Sequence, residues 1–162
     1  MKRVIVIGCP GSGKSTFSRA LHQKTGIPLV HLDMLYWNPD RTTVDDAVFL
    51  ERLTNVLQTG SWIIDGNYGN TLECRIQACN TVFFLDYPLE VCLAGIESRR
   101  GKPRPDMPWI ENDLPDRAFL ELIQNYGTQN RPTVMALLSQ YGEKEIHIFH
   151  SREEASRFLE TV

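Results

Sequence analysis

One short stretch near the start of the chain limits its possible folds more than any other: Gly8-Cys9-Pro10-Gly11-Ser12-Gly13-Lys14-Ser15. It has the spacing G-x-x-x-x-G-K-[ST], and it stands between two segments of different periodicity. Before it, Val4-Ile5-Val6-Ile7 is wholly apolar, as in a strand buried on both faces of a parallel sheet. After it, Phe17, Ala20 and Leu21 repeat at helical spacing, and Gly26 and Pro28 end that helix. Glycines in such a loop let backbone N–H groups encircle phosphate oxygens, and the following helix adds the positive end of its dipole. The sequence therefore predicts a triphosphate-binding loop running from Gly8 through Thr16. Lys14 would reach the β- and γ-phosphates of ATP, and the Ser15 hydroxyl would ligate Mg²⁺.

The rest of the chain repeats the strand–helix alternation. Apolar runs at Pro28 to Leu32, Trp62 to Ile64, Thr81 to Leu85 and Ile146 to Phe149 read as further buried strands. Helical stripes lie between and after them: Phe49, Leu53, Val56 and Leu57; Leu72, Ile76 and Cys79; Leu89, Leu93 and Ile96; Val134, Leu137, Leu138 and Tyr141; Ala155, Phe158 and Leu159. Thr43-x-x-Asp46 and Ser151-x-x-Glu154 have the form of capping boxes. Five such strands predict one α/β doubly wound domain over 1–162, with a parallel sheet. The segment 99–115 breaks the rhythm with Pro103, Pro105, Pro108 and Pro115, and segregates Arg99, Arg100, Lys102 and Arg104 from Asp106, Glu111 and Asp113. A loop of that length in a compact domain reads as a lid. The net charge of -3 argues against a sequence-independent grip on nucleic acid. No run of apolar residues is long enough to span a membrane. The four cysteines form no zinc-ligand pattern and read as reduced thiols, giving a cytoplasmic expectation.

Two acids and three arginines stand out beside the loop. Asp65 ends the run Trp62-Ile63-Ile64, at the rim where sheets of this kind bind ligands, and is placed to hold Mg²⁺ through water. Asp33 follows His31 and Leu32 at the rim of the second strand; it either takes a proton from an acceptor hydroxyl or caps the next turn. His31 reads as packed against the sheet. Arg99, Arg100 and Arg104 are candidates to stabilise the charge that spreads over phosphoryl oxygens, with Arg131 a weaker one beyond the lid.

These residues together resemble the adenylate-kinase-like branch of P-loop kinases, and more narrowly the bacterial DNA topology modulation (FlaR-like) family. The resemblance spans nearly the whole chain. Its specific parts are His31-Leu32-Asp33 with Leu35-Tyr36-Trp37, Trp62-Ile63-Ile64-Asp65-Gly66-Asn67-Tyr68, Leu85-Asp86 and Arg104-Pro105-Asp106-Met107. It implies a P-loop NTPase fold with a five-stranded parallel sheet, an ATP site and a lid. The chain also departs from true adenylate kinases. Gly69 and Tyr36 stand where those enzymes carry acceptor-phosphate arginines, leaving Arg41 or Arg75 as substitutes. Gly95 replaces one of two arginines spaced by four before the lid, and Asn80 replaces an acid common in the narrower family. Two functions follow as expectations. One is transfer of the γ-phosphoryl group of ATP to a small-molecule acceptor bearing a hydroxyl, possible nucleotide-like acceptors included. The other is a non-enzymatic, ATP-dependent switch acting on DNA or a DNA-binding partner.

Overall fold

The computed structural model describes residues 1–110 and 117–162. Strand β1 (Arg3–Gly8) leads into α1 (Lys14–Thr25), and β2 (Leu29–His31) passes directly into α2 (Leu32–Tyr36). Next come α3 (Asp46–Leu57), β3 (Trp62–Asp65), α4 (Gly69–Ala78), β4 (Thr81–Leu85) and α5 (Leu89–Arg99). Helix α6 (Arg117–Asn125), a π-helical turn at Tyr126–Asn130 and α7 (Arg131–Gln140) follow, then β5 (Glu145–Phe149) and α8 (Arg152–Thr161). All five strands anticipated from the apolar runs are present and form one parallel sheet in the order β2-β3-β1-β4-β5.

The strands read as continuous apolar runs because helices cover both faces. Ile5, Ile7, Ile64, Val82 and Phe84 point to one face, where they pack with Phe49 and Leu53 of α3 and Leu72 and Ile76 of α4. Val4, Val6, Ile63, Phe83 and Leu85 point to the other, against Phe17 and Leu21 of α1 and Ala155 of α8. Register then fixes the carboxyl rim: Val6 lies beside Asp65, and Asp65 beside His31. Asn80, the departure from an acidic residue, accepts the backbone N–H of Arg3 at 3.2 Å and so anchors the opposite end of β1. All four cysteines are free thiols, three of them buried. No helix of the described residues is long and apolar enough to cross a membrane.

Several local expectations need correction. The box Thr43-x-x-Asp46 does not form: α3 is capped by Asp45 without a side-chain bond, and Thr43 pairs instead with Trp37 in an antiparallel bridge. Ser151 does cap α8, accepting the Glu154 N–H at 3.2 Å, while the Glu154 carboxylate returns to the N–H of His150 rather than of Ser151. On α5 the buried residues are Cys92 and Ile96, and Leu89 is exposed. Helices α2 and α6 were not signalled by periodicity. Of the segment read as a lid, 99–110 is described; Glu111, Asp113 and Pro115 lie outside the described residues.

Candidate active site

The loop between β1 and α1 wraps as its glycines require. Gly11 has φ +86°, and a Cβ there would stand 2.0 Å from the carbonyl oxygen of Cys92. The contact is reciprocal, because a Cβ on Gly95 would stand 2.0 Å from the carbonyl of Gly11. Gly95 is thus the residue that lets α5 lie directly on the loop, backbone against backbone. Ser12 is fully buried, with a hydroxyl that has no hydrogen-bond partner among the described residues. The first N–H groups of α1 have no acceptor within the helix. Lys14 bridges the loop, its ammonium donating to the carbonyls of Gly8 at 3.0 Å and Cys9 at 3.4 Å. Burial pushes its pKa down, against the pull of Asp65 and Asp33.

A cavity of about 890 Å³ opens over this loop. Lys14, Ser15 and Thr16 line one side, Asp33 and Asp65 the rim of β2 and β3, and Arg99, Arg104 and Asp106 the side formed by the end of α5 and the segment after it. Lys14, Ser15, Asp33, Asp65, Arg99 and Arg104 therefore converge, while Gly8, Cys9 and Ser12 of the loop do not line the cavity. Arg100 pairs with Glu97 at 3.0 Å and does not line the cavity. Arg131 is also elsewhere, its guanidinium gripping both carboxylate oxygens of Asp86 at 2.9–3.1 Å.

Asp65 is buried and accepts from Nδ1 of His31 at 2.7 Å. His31 is more than a packing residue: burial alone would lower its pKa, but the Asp65 hydrogen bond and charge, with Asp106, outweigh that and raise it. Asp33 has its pKa raised by burial, with Asp106 and Asp65 adding to the rise and the Tyr68 hydroxyl and Lys14 opposing it. The Tyr68 hydroxyl donates to Asp33 Oδ1. Asp106, in the Arg-Pro-Asp-Met segment, is buried 3.5 Å from Nε of Arg104.

Both substitutes for an acceptor-phosphate arginine are otherwise engaged. Arg75 is fully buried on α4 and spends its donors on Thr71 Oγ1 and the carbonyls of Gly66, Asn67 and Tyr68. Arg41 lies over the ring of Trp109, 5.8 Å from its centroid. Two site residues escaped the sequence reading. Arg19 donates to Ser15 Oγ at 2.7 Å, and Arg152 of α8 donates to the carbonyls of Ser12 at 3.0 Å and Gly11 at 3.3 Å. Arg19 sits four residues after Ser15, a spacing that puts both on one helix face. Nothing in the sequence marks Arg152 except its place at the start of α8.

The donor set fits a triphosphate with a divalent cation. Lys14 and the loop N–H groups suit phosphate oxygens, and Ser15 and Asp65 each retain oxygen lone pairs. Among the described residues no group of three or more His, Cys, Asp or Glu could hold a metal by itself. A cation here would therefore take its remaining ligands from phosphate and water, as Mg²⁺ does.

No family model matches the sequence, and no curated protein matches it. Solved structures do resemble the chain. Shikimate kinase from Acinetobacter baumannii in complex with shikimate has a TM-score of 0.65 at 16% identity, over 99% of this chain and 92% of that one. Shikimate kinase from Bacteroides thetaiotaomicron gives 0.58 at 18% identity, over 99% and 95%. A sugar kinase from a Janibacter species gives 0.55 at 15% identity, over 99% and 91%. At these identities the likeness establishes the fold, and the narrower resemblance to DNA topology modulation proteins rests on the sequence motifs alone. The chain has the five-stranded parallel sheet with flanking helices of the P-loop NTPase fold.

Proposed function

We propose that the protein is an ATP-dependent kinase of a small molecule, and that the acceptor presents a hydroxyl group. The observation that carries this reading is a cavity lined both by the phosphate loop and by the acid Asp33. The solved structures it resembles are two shikimate kinases and a sugar kinase, which supports the same class. Lys14 would hold the β- and γ-phosphates, and Arg99 and Arg104 would meet charge developing on the transferred group. Mg²⁺, held by Ser15 and through water by Asp65, would supply charge neutralisation at the phosphate oxygens. Asp33 would accept the hydroxyl proton, a task suited to a carboxylate whose pKa is raised. A phosphate acceptor would instead need cations at the β2 and β3 rim, and Arg75, the buried arginine there, is committed to backbone carbonyls.

The test is a screen of acceptors with γ-labelled ATP, comparing hydroxyl compounds with nucleoside monophosphates. The Asp33→Asn variant should lower turnover of a hydroxyl acceptor about 10²–10⁴-fold while leaving ATP affinity nearly unchanged. Efficient phosphorylation of a nucleoside monophosphate, undiminished in Asp33→Asn, refutes the hydroxyl reading. Nucleotide binding without transfer to any acceptor would favour the non-enzymatic switch.

A further inference from the structure

The loop between β3 and α4 holds an unusual backbone. Tyr68 adopts φ +38°, in the left-handed region that a bulky side chain visits only when its surroundings force it. The ring is held there among other aromatics, with centroids 5.2 Å from Tyr36 and 5.1 Å from Phe49. Its hydroxyl reaches Asp33 Oδ1. Behind the loop stands Arg75, fully buried in the last turn of α4. Its Nη1 donates to the carbonyl of Gly66 at 3.1 Å, and its Nη2 to the carbonyls of Asn67 and, at 3.2 Å, Tyr68. Nε donates to Thr71 Oγ1 at 3.1 Å, and that hydroxyl in turn donates to the Tyr68 carbonyl at 3.0 Å. Burial pushes the Arg75 pKa down to about 10, so the group stays charged at neutral pH. Three consecutive carbonyls are thus fixed by one planar fork of donors, a geometry that a lysine cannot reproduce.

We infer that Arg75 is a positioning residue: by clamping the carbonyls of residues 66–68 it holds Tyr68 in its left-handed conformation, and through the Tyr68 hydroxyl it orients and tunes Asp33. The inference rests on the reading of Asp33 as the acid that faces the acceptor. It explains why a cation stands wholly buried beside the site with its donors spent on backbone rather than on a ligand. It also assigns the strain at Tyr68 a purpose. With Oδ1 taken by Tyr68, Oδ2 is the oxygen that no described residue engages, on a carboxylate held in one orientation.

The experiment reads the Asp33 carboxyl directly, by its ¹³C chemical shift against pH in the whole protein with no acceptor present. The charges acting on Asp33 besides the Tyr68 hydroxyl are Lys14, Asp65 and Asp106, and all are left intact. Tyr68→Phe keeps the ring packing but removes a donor to the carboxylate, so the Asp33 pKa should rise by about 1–2 pH units. Arg75→Lys keeps the charge but not the fork, and should raise it in the same direction. In the double variant the two shifts should not add, because both act through one hydroxyl. Thr71→Val, which removes the hydroxyl shared by Arg75 and the Tyr68 carbonyl, is the milder variant should Arg75→Lys fail to fold, and should give a smaller rise. An unmoved Asp33 titration in folded Arg75→Lys or Thr71→Val overturns the inference, as does full additivity with Tyr68→Phe. Because no turnover is measured, failure here leaves the kinase reading to its own test by Asp33→Asn, and the reverse also holds.

Discussion

Replacing Gly95 with alanine pits two effects of opposite sign against each other, and the structure decides between them. Gly95 lies inside α5, where alanine is intrinsically better by about 1 kcal/mol. Yet its Cβ would stand 2.0 Å from the carbonyl oxygen of Gly11, whereas ordinary contact begins at 3.4 Å. The neighbour is backbone of a tightly wound loop, so no side chain can swing aside. Helix α5 must lift, and overpacking of this kind costs about 1–3 kcal/mol or more. A clash this close with backbone puts the cost at the upper end of that range, so the net expectation is a loss of about 2 kcal/mol, which for a domain this size lowers Tm by about 4–8 °C. Lifting α5 also moves Arg99 off the cavity and disturbs the loop, so affinity for ATP should fall together with Tm. Gly69→Ala is the matched control, since nothing lies within 4 Å of its added Cβ. That variant should be neutral or slightly stabilising. The measurements are a thermal melt and a nucleotide titration on both variants. A Gly95→Ala protein as stable as the parent, with unchanged ATP affinity, would show that the close packing of α5 on the loop is not what demands glycine there.

Other outcomes follow from the same geometry. ATP or ADP with Mg²⁺ at about 100 times its Kd should stabilise the protein by ~2.7 kcal/mol, a rise of about 5–10 °C, and Lys14→Ala should remove most of it; no shift with any triphosphate would overturn the site. The His31–Asp65 pair should make stability depend on pH, because the pKa of His31 is raised in the folded state. Its contribution is fully present below the unfolded value near 6.5 and is lost as pH rises through the folded value, so the Tm gap between parent and His31→Gln should shrink from pH 6 to pH 9. A constant gap would place the pair's effect elsewhere. Limited proteolysis within 99–115 should slow when ATP is bound, as expected of a lid; equal rates with and without nucleotide would count against that role.

The sheet was legible in the sequence because burial on both faces leaves runs such as Trp62-Ile63-Ile64 and Thr81 to Leu85 with no alternation to misread. Helix α2 was not, since five residues from Leu32 to Tyr36 complete too little of the helical period to show one. The buried face of α5 was read correctly at Ile96 and Leu93, but not at Leu89, which is exposed. The helix's closest partner is backbone, which selects a missing side chain at Gly95 instead of a large one, and an apolar stripe does not show that. Among the arginines, residue type alone could not choose. Helix α5 ends at Arg99 and Arg100 already has extended backbone; Arg99 lines the cavity, and Arg100 pairs with Glu97. Arg75 was readable in principle: it interrupts the buried stripe of Leu72, Ile76 and Cys79, and a cation on that face must find its acceptors inside the protein. Taking it as a substitute phosphate ligand treated a buried charge as an available one. The pairings that give the acids their roles, His31 with Asp65 and Tyr68 with Asp33, cross 34 and 35 residues of chain. Only the parallel register of β2 against β3 brings them together, and register is a property of the folded sheet.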